Sequence, residues 1–443
     1  MERRNRKIRP NSDRLSSLPD SLLCHILSFL PTKLSVATSV LSTRWKYLWT
    51  DVLNLDFDSI NHKKKSGHGL SITDTVSRVM LLSNARNINS FRLIIQDEKF
   101  DEVDLLETWI RTTIARNVQA IDIRLLHQVC LPRCLFACKT LVDLSLHCCG
   151  SIPDYIMLPN LKKLRLHYFQ YGNYEKLQNL ISGCPVLEEL NLNIEMIIKY
   201  DLRSCIISSP TIKWLTLNLG LFDLDDDFSD YKLVMNTPAV RYLVVEDLPS
   251  QCFLTGTFNS LVEANICLYN YEVQDDVSYC NSVLDLVDKV NQVKCLTLSI
   301  THNRFLDCSY ADVTSRFINL TKLDLRADWL FLLKFLQSAD NLEVLIIREH
   351  ADVGVKRWTE PQQVPTCLSS HLKQVTIDAF EYLEAEHKMI SYILSNGKVL
   401  NMMDIIIRKE EKTKYTDLEK KSNALRRISA FERRSETCKL QFS

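Results

Sequence analysis

Glycine is scarce in this sequence, with nine residues in a chain of 443. Phosphate-binding loops depend on glycine-rich turns, and neither a P-loop nor a dinucleotide-binding fingerprint is present. The G-x-S-x-G motif that carries the nucleophile of many hydrolases is absent as well. The sequence therefore gives no indication of nucleotide binding or of serine-based catalysis. We predict a protein that is not an enzyme and needs no cofactor.

Long apolar runs and an excess of one charge are also missing. No run reaches the roughly 20 residues of a membrane-spanning helix, and the N-terminus lacks an apolar stretch with a small-residue cleavage site. The 54 basic residues equal the 54 acidic residues, which argues against an extended nucleic-acid or membrane surface. We expect no nucleic-acid or membrane partner, and a location in the nucleus, the cytoplasm or both. The basic residues 1–14 are either a solvated tail or a weak nuclear signal.

Cysteine is plentiful, with 15 residues that we expect to remain thiols in a reducing compartment. Five cysteines and one histidine cluster between residues 130 and 149, and such a cluster is one way to build a zinc site. Their C-x3-C-x3-C spacing is not that of a zinc finger, however, and free cysteine is a good small core residue. The aspartates within residues 223–230 lack the glycine and the terminal glutamate of a calcium-binding EF-hand loop. We predict no metal at either place.

Residues 18–50 carry the pattern of three short helices. Pro19 suits the first position of a helix that ends at Pro31. Thr32 can cap a second helix, and Ser42 can cap a third. The pattern predicts a compact helical module at the start of the folded chain.

The first of these helices has more apolar surface than a small module can bury. Leu22, Ile26 and Leu30 form one stripe at i, i+4 and i+8, and Leu23 and Leu27 lie beside it. About 33 residues cannot enclose this much apolar surface alone, because small chains bury too small a fraction of it. The excess faces either the rest of the chain or another protein, and the pattern alone leaves both open.

The same segment resembles the plant F-box in four stretches of sequence. These are Leu-Pro-Asp-Ser-Leu-Leu at 18–23, Ile-Leu-Ser-Phe-Leu-Pro-Thr-Lys at 26–33, Ala-Thr-Ser-Val-Leu-Ser at 37–42 and Arg-Trp-Lys-Tyr-Leu-Trp at 44–49. Residues 53–58 match the segment that comes directly after the F-box in that family. One departure is that Leu34 and Ser35 stand where an acidic residue is common. The resemblance implies an F-box over residues 15–58.

An F-box implies a partner. In the family, the F-box binds a Skp-type adaptor, which docks on a cullin scaffold that carries a RING ubiquitin ligase. By this resemblance, the residues that face the adaptor are Leu18, Pro19, Leu22, Ile26, Leu30, Pro31 and Trp45.

An apolar-x-x-apolar-x-apolar pattern then recurs thirteen times. Its first positions run from Ile88 to Leu400, which is 312 residues over twelve steps or 26 residues per step. That period lies within the leucine-rich-repeat range of roughly 20–29 residues. Alternation places each match on a short strand with its leucines inward, and each repeat buries them only by stacking on its neighbours, with a helix or loop returning the chain. We predict a linker over residues 59–87 and an irregular solenoid over residues 88–357.

The outward positions of these strands line the concave side of such a solenoid. Mixed charge with exposed aromatic residues suits a protein-binding surface, although a single outward position is more often merely solvated. The candidates for contact with a target are Lys163, Arg165, His167, Trp214, Tyr242, Arg326 and Arg348.

Residues 358–443 resemble the FBD domain that closes many plant F-box proteins. The matching features are the Trp-Thr-Glu-Pro and Val-Pro-Thr-Cys-Leu lead-in, a Glu-rich helix with Tyr392-Ile393-Leu394, and the final Cys-Lys-Leu-Gln-Phe. Such a segment can supply the polar cap that a solenoid needs at its end. The predicted fold class is therefore an α/β repeat: a three-helix F-box, an irregular leucine-rich-repeat solenoid and a C-terminal FBD cap.

The resemblance to the F-box/FBD/LRR-repeat family covers nearly the whole chain. It implies a substrate-recognition subunit of a Skp-cullin-F-box ubiquitin ligase, with the adaptor on the F-box and an unidentified protein target on the repeats. The alternative is a leucine-rich-repeat interaction scaffold without a ligase role. A third hypothesis, a metallohydrolase, depends on the cysteine-histidine cluster alone.

Overall fold

The computed structural model describes most of the chain. The described residues are 15, 17–60, 71–97, 100, 102–150, 152–168, 174–193, 204–218, 232–248, 253–256, 258–269, 276–301, 316–327, 329–348, 358–407 and 416–443. The basic segment 1–14 and the aspartates of residues 223–230 lie outside them. The chain divides into two compact units, Met1–Gln170 and Tyr171–Ser443, and each combines helices with parallel strands.

The first unit begins with a helical module, residues 15–53, here called the N-terminal module. It contains α1 (Asp20–Leu27) and α2 (Thr32–Ala37). Both helices lie where they were predicted, but Pro19 precedes α1 instead of opening it, α1 ends at Leu27 before Pro31, and Pro31 rather than Thr32 is the N-cap of α2. Short 3-10 helices follow at Thr38–Val40 and Leu48–Asp51.

The predicted third α-helix of the N-terminal module is not confirmed, because turns and the 3-10 helix Leu48–Asp51 take its place. The N–H groups of Trp45 and Thr50 donate to the carbonyls of Ser42 and Tyr47, three residues back in each case. Three residues per turn place Trp45 and Leu48 on the same side, where both join the core of the module.

A parallel sheet of five strands follows in the first unit, in sequence order. The strands are β1 (Asn54–Asp58), β2 (Ser90–Ile95), β3 (Ala120–Val129), β4 (Asp143–Cys149) and β5 (Lys163–His167). The returning segments contain α3 (Ile72–Leu82), α4 (Val103–Ala115) and a 3-10 helix at Arg133–Ala137.

The register of this sheet puts equivalent repeat positions side by side. Leu55, Phe91, Ile121, Leu144 and Leu164 form one row across the five strands, and each is at most 2% exposed. The strand that pattern analysis assigns to each repeat therefore has the predicted phase, with the leucine positions inward.

The second unit contains a longer parallel sheet and a smaller one. The main sheet has the order β6-β8-β10-β12-β13-β14-β15-β16-β17-β18, and the second sheet has the order β11-β9-β7. Its strands are β6 (Glu189–Asn193), β7 (Ser204–Ser208), β8 (Trp214–Asn218), β9 (Lys232–Asn236), β10 (Tyr242–Leu248), β11 (Phe253–Gly256), β12 (Glu263–Tyr269), β13 (Cys295–Thr301), β14 (Lys322–Arg326), β15 (Val344–Arg348), β16 (Gln374–Phe380), β17 (Met402–Ile407) and β18 (Lys439–Phe442). Its helices are α5 (Tyr174–Ser182), α6 (Asp276–Lys289), α7 (Trp329–Ser338), α8 (Thr366–Ser370), α9 (Glu384–Asn396) and α10 (Thr416–Ser429).

The second sheet shows that strands also return the chain, where only helices or loops were predicted. β7, β9 and β11 each lie between two strands of the main sheet in sequence and pair with one another in parallel. Gly256 ends β11 at a close approach, because a Cβ there would lie 2.2 Å from the carbonyl oxygen of Met235. Glycine is the residue that such an approach requires.

Strands beyond the repeats extend the main sheet. β16, β17 and β18 pair in turn after β15, so the segment predicted as an FBD domain continues the parallel sheet of the second unit. The repeat pattern identified β16 and β17, whereas it identified neither β18 nor β1 of the first unit.

Candidate interaction surfaces

Helix α1 has two apolar stripes, of which one is buried and the other is exposed. Leu23 and Leu27 are 0% and 1% exposed and pack with Trp45, Leu48 and Val52. By contrast, Leu22 is 47% and Ile26 is 40% exposed. The described part of the first unit thus buries Leu23 and Leu27 and leaves Leu22 and Ile26 exposed to solvent. The two stripes therefore do not both pack within this unit.

Other large apolar side chains of the N-terminal module are exposed as well. Their exposed fractions run from 53% to 85%. They are Leu15, Phe29, Leu34, Val40, Leu41 and Tyr47. Exposed apolar side chains this dense within about 40 residues are typical of a surface that another protein covers. The apolar periodicity of α1 does not reveal these residues, because they lie in turns and short helices outside it.

The residues predicted to face a partner divide into three groups. Pro19, Leu22 and Ile26 are exposed. Leu18, Leu30 and Pro31 are half-buried, the two leucines at the margin of the core of the module. The last residue, Trp45, is 8% exposed and belongs to that core, which corrects the prediction that it offers its side chain to a partner. Its indole instead packs behind α1.

An ion pair fixes the start of α1. Arg44 Nη2 lies 2.6 Å from Asp20 Oδ1 and also donates to the carbonyl of Leu18. The pair ties the turn before Trp45 to the first turn of α1. It therefore helps to hold the exposed stripe of α1 in one orientation.

Charged residues cross the outward face of the first sheet as ion pairs. Arg92 Nη1 lies 2.7 Å from Asp56 Oδ1, and Arg165 Nη1 lies 2.9 Å from Asp143 Oδ1. Arg165, predicted to contact a target, is therefore already paired with a neighbouring strand. Lys163 on the same strand is exposed.

His167 belongs to a small ring cluster at the end of the same strands. Its ring stacks on that of His147 with centroids 5.9 Å apart, and the ring of Tyr168 contacts His147 edge-on. Burial lowers the pKa of both histidines below their usual value. Burial therefore favours the neutral form of both imidazoles, which present an aromatic rather than a cationic surface.

Trp214 and Tyr242 form an aromatic platform on the outward face of the second unit. They are register partners on β8 and β10, and their rings stack 4.9 Å apart at an angle of only 4°. Trp214 is 45% exposed, and the next residue in this row, Glu263, is also exposed. Of the predicted target-binding residues, these two are brought together as a flat, exposed surface.

Arg348 forms ion pairs with both neighbouring strands of the sheet. Its Nε and Nη2 donate to the two carboxylate oxygens of Asp324 at 2.7 and 2.9 Å, and its Nη1 donates to Asp378 at 3.1 Å. Asp324 is 9% exposed, and its hydrogen bond raises the pKa of Arg348. The guanidinium therefore joins β14, β15 and β16, and its contact with a target stays a prediction.

We expect Arg348→Ala to destabilise the second unit by about 1–3 kcal/mol, because the buried carboxylate of Asp324 loses its charged donors. The Arg348 side chain is 40% exposed, so solvent screening keeps the loss below that of a fully buried pair. Urea denaturation measures the difference. The matched control is Arg316→Ala, whose side chain is 75% exposed and whose loss should cost about 0.5 kcal/mol or less. Equal stability of Arg348→Ala and the wild type would contradict the structural role.

Arg326, the last of the predicted residues, is half-buried and lines a cavity of about 490 Å³ on the second unit.

The described residues show no cluster of metal ligands and no activated cysteine at residue 149. No three His, Cys, Asp or Glu side chains among them come together as metal ligands, and burial raises the pKa of Cys149 to about 12. No helix within the described ranges is both long and apolar enough to cross a membrane.

Three family models match separate parts of the chain. The model described as F-box domain matches residues 15–57, and the FBD model matches residues 360–405. Residues 106–251 match the model described as FBD-associated F-box protein At5g56370, LRR repeats.

Similarity to individual plant proteins extends along nearly the whole chain. F-box/FBD/LRR-repeat protein At4g00160 of Arabidopsis thaliana is 30% identical over 449 residues, covering 97% of this chain and 94% of the relative. FBD-associated F-box protein At4g10400 of the same plant is 30% identical over 447 residues, covering 97% of this chain and all of the relative.

Proposed function

The chain belongs to the plant family of F-box/FBD/LRR-repeat proteins, and from that premise we propose that it is the substrate-recognition subunit of a cullin-RING ubiquitin ligase. In this role the N-terminal module binds a Skp-type adaptor and the repeats bind a protein target. The chain itself is not an enzyme, and bond chemistry belongs to the ligase partners.

The observation that carries this proposal is the exposed stripe of α1. Leu22 and Ile26 are 47% and 40% exposed on a helix whose other stripe is fully buried. Such surface is stabilised when a partner covers it, because burying the exposed 40–47% of each residue contributes about 0.6–1.4 kcal/mol. An adaptor that covers Leu22, Ile26 and the neighbouring exposed side chains supplies that burial.

The mechanism is proximity. Holding a target near the transferring enzyme makes the encounter of their reacting groups effectively intramolecular, which raises the rate without a catalytic residue in this chain. The proposed function therefore depends on two binding surfaces that each keep their shape, and not on a nucleophile in this chain. The paired strands and the ion pairs of Arg92, Arg165 and Arg348 favour such rigidity within each unit.

We assign the FBD segment the role of C-terminal cap. β18 is the last strand of the main sheet, has four residues and begins with the exposed Lys439. Short strands and lysine both blunt an edge against pairing with other chains. The ion pair of Arg427 with Glu384, at 2.6 Å, ties α10 to α9 beside that edge.

Titration of the purified full-length chain with a purified Skp-type adaptor tests the proposal. A complex of one chain with one adaptor, stable through size-exclusion chromatography, is the expected result. A folded chain that forms no such complex would instead favour the interaction scaffold without a ligase role.

We expect the double variant Trp214→Ala with Tyr242→Ala to weaken target capture roughly 30-fold while adaptor binding stays unchanged. Aromatic anchors at the centre of an interface commonly contribute about 2 kcal/mol or more, and 1.4 kcal/mol is a factor of ten in affinity. Proteins captured from plant extract are quantified relative to the adaptor.

The control for this pair is Tyr155→Ala, which removes a tyrosine that is 68% exposed in the first unit. If the double variant captured the same proteins at the same level, the platform would not be a target site. Capture of those proteins by a fragment that ends before residue 80 would place recognition outside the repeats altogether.

A further inference from the structure

The cavity of about 490 Å³ lies on the outward face of the second unit. Residues of β10 and of β12 to β15 line it: Glu246, Asn265, Cys267, Thr297, Leu298, Ser299, Asp324, Arg326 and Arg348. It lies on the face that the repeats of the second unit expose, whereas the N-terminal module that adaptor binding requires belongs to the first unit.

Two side chains in this cavity hold buried polar atoms without a partner. Arg326 Nε and Ser299 Oγ are both shielded from solvent, and neither has a hydrogen-bond partner among the described residues. Ser299 and Arg326 are register partners on β13 and β14, so their backbones lie about 4.8 Å apart. Buried polar groups are rarely left unpaired in folded proteins, because their desolvation is then uncompensated. Two such groups side by side indicate a ligand that supplies an acceptor to both.

The nearby carboxylate of Asp324 is paired with Arg348 and not with Arg326. Both carboxylate oxygens of Asp324 accept hydrogen bonds from Arg348. Within the described ranges, no carboxylate lies within 4 Å of the Arg326 guanidinium. Arg326 therefore has no ion-pair partner of its own among the described residues, although Glu246 also lines the cavity.

In a comparable cavity of the first unit, the arginines are paired with acidic residues. That cavity, of about 410 Å³, is also lined by arginines of the outward strand positions. There Arg92 pairs with Asp56, Arg124 with Asp122, and Arg165 with Asp143. Arginines on this face thus usually have an acidic partner from their own or an adjacent strand, and Arg326 departs from that pattern.

We propose that the cavity binds an aspartate or glutamate side chain of the protein target, an inference that rests on the proposed function. The fork of a guanidinium matches the two oxygens of a carboxylate, and the hydroxyl of Ser299 adds a second donor beside it. A carboxylate fits better than a phosphate dianion, because Glu246 and Asp324 line the same cavity and repel the two negative charges of the dianion more strongly than the single charge of a carboxylate.

Position on the sheet argues for a polypeptide as the source of the carboxylate. Tyr242 of the aromatic platform and Glu246 of the cavity lie on the same strand, β10. Three strand spacings, or about 14 Å, separate β10 from β14. Lys322 is the residue of β14 in register with Tyr242, and Arg326 lies four residues farther along that strand, or about 13 Å, so Tyr242 and Arg326 are about 20 Å apart. An extended peptide crosses that distance in about six residues, so one segment reaches both the platform and Arg326.

A randomised 12-residue peptide library, selected on the full-length chain, tests this assignment. The selected peptides should share one acidic position, and replacing that residue with Gln or Asn should weaken binding at least tenfold. Arg326→Gln should abolish this preference, and Ser299→Ala should reduce it. Arg316→Gln, on an exposed arginine of the same unit, should leave it intact.

The melting temperature and the adaptor binding of each variant show whether a lost peptide preference comes from the cavity or from misfolding. Because Arg326 Nε has no partner, Arg326→Gln should melt within about 1 °C of the wild type and should bind the adaptor normally. Arg326→Lys, which keeps the charge but loses the fork, should retain only part of the acidic preference. A wild-type chain that does not bind the adaptor would refute the ligase role. That result would not contradict the assignment of the cavity, which depends on peptide binding.

Three results would overturn the assignment. Selected peptides without a shared acidic position would do so, as would an acidic preference that survives Arg326→Gln. Binding of free N-acetylglutamate in the absence of any acidic peptide would show a small-molecule site instead of a target contact.

Discussion

The double variant Leu22→Asp with Ile26→Asp is expected to lower affinity for the Skp-type adaptor at least 100-fold. The two side chains are 47% and 40% exposed on α1, while the helix is held by Leu23 and Leu27 beneath it. Burial of the exposed 40–47% of these two residues is worth about 1–3 kcal/mol in total. Two carboxylates buried there without partners cost several kcal/mol more, and tenfold in affinity is 1.4 kcal/mol. Isothermal titration with purified adaptor measures the change.

A matched control shows that the effect belongs to α1 and not to added charge. Leu81 and Leu126 are 83% and 46% exposed in the same unit, outside the N-terminal module. Leu81→Asp with Leu126→Asp should bind the adaptor like the wild type. Because Leu22 and Ile26 lie outside the core cluster, their substitution should also leave the melting temperature of the chain nearly unchanged. Undiminished adaptor binding by the folded Leu22→Asp, Ile26→Asp variant would refute the assigned surface.

Leu164→Ala and Leu215→Ala are each expected to lower the free energy of unfolding by about 2–5 kcal/mol, the range for emptying a packed leucine site. Leu164 is 0% and Leu215 is 1% exposed, and each stands in a row of buried apolar residues on adjacent strands. The cavity left behind cannot close easily, because neighbouring strands fix its walls. Urea denaturation followed by circular dichroism measures both variants.

The adjacent residue gives the control for the strand phase. Lys163 precedes Leu164 on β5 but is exposed. Lys163→Ala should change the free energy of unfolding by about 0.5 kcal/mol or less. Full stability of Leu164→Ala or Leu215→Ala would show that the assigned inward phase is wrong.

The strands of the repeats were predictable because their signal is local. An alternation of period two fixes both the strand and the side of each residue, and one shift of register would reverse every side chain. Each of the thirteen pattern matches therefore coincides with a parallel strand of the structure. β1 and β18 escaped the pattern because they lie beyond the series, next to the N-terminal module and at the C-terminus.

Segments without a strong period were predicted less well. The Trp45 region has apolar residues at a spacing that fits an α-helix or a 3-10 helix, and packing against α1 selects the latter. Likewise, β7, β9 and β11 become strands because they lie beside one another in the fold, which no single repeat reveals.

For the candidate surfaces, the sequence predicts only which side of the sheet each side chain lies on. Alternation shows that Arg165, Arg326 and Arg348 point outward, but it does not show which carboxylates stand beside them. Arg165 and Arg348 find aspartates on adjacent strands, whereas Arg326 finds none among the described residues. This difference separates structural arginines from the one that we assign to a target, and it depends on three-dimensional neighbours rather than on the pattern.

The most direct measurement is affinity purification of the full-length chain from plant cells under proteasome inhibition, compared with the Leu22→Asp, Ile26→Asp variant. The wild type should recover a Skp-type adaptor, a cullin and ubiquitin-modified targets. The variant should recover the same targets without the adaptor, without the cullin and without the modification. Recovery of targets by the wild type with neither adaptor nor cullin would contradict the ligase role and show that the chain is an interaction scaffold.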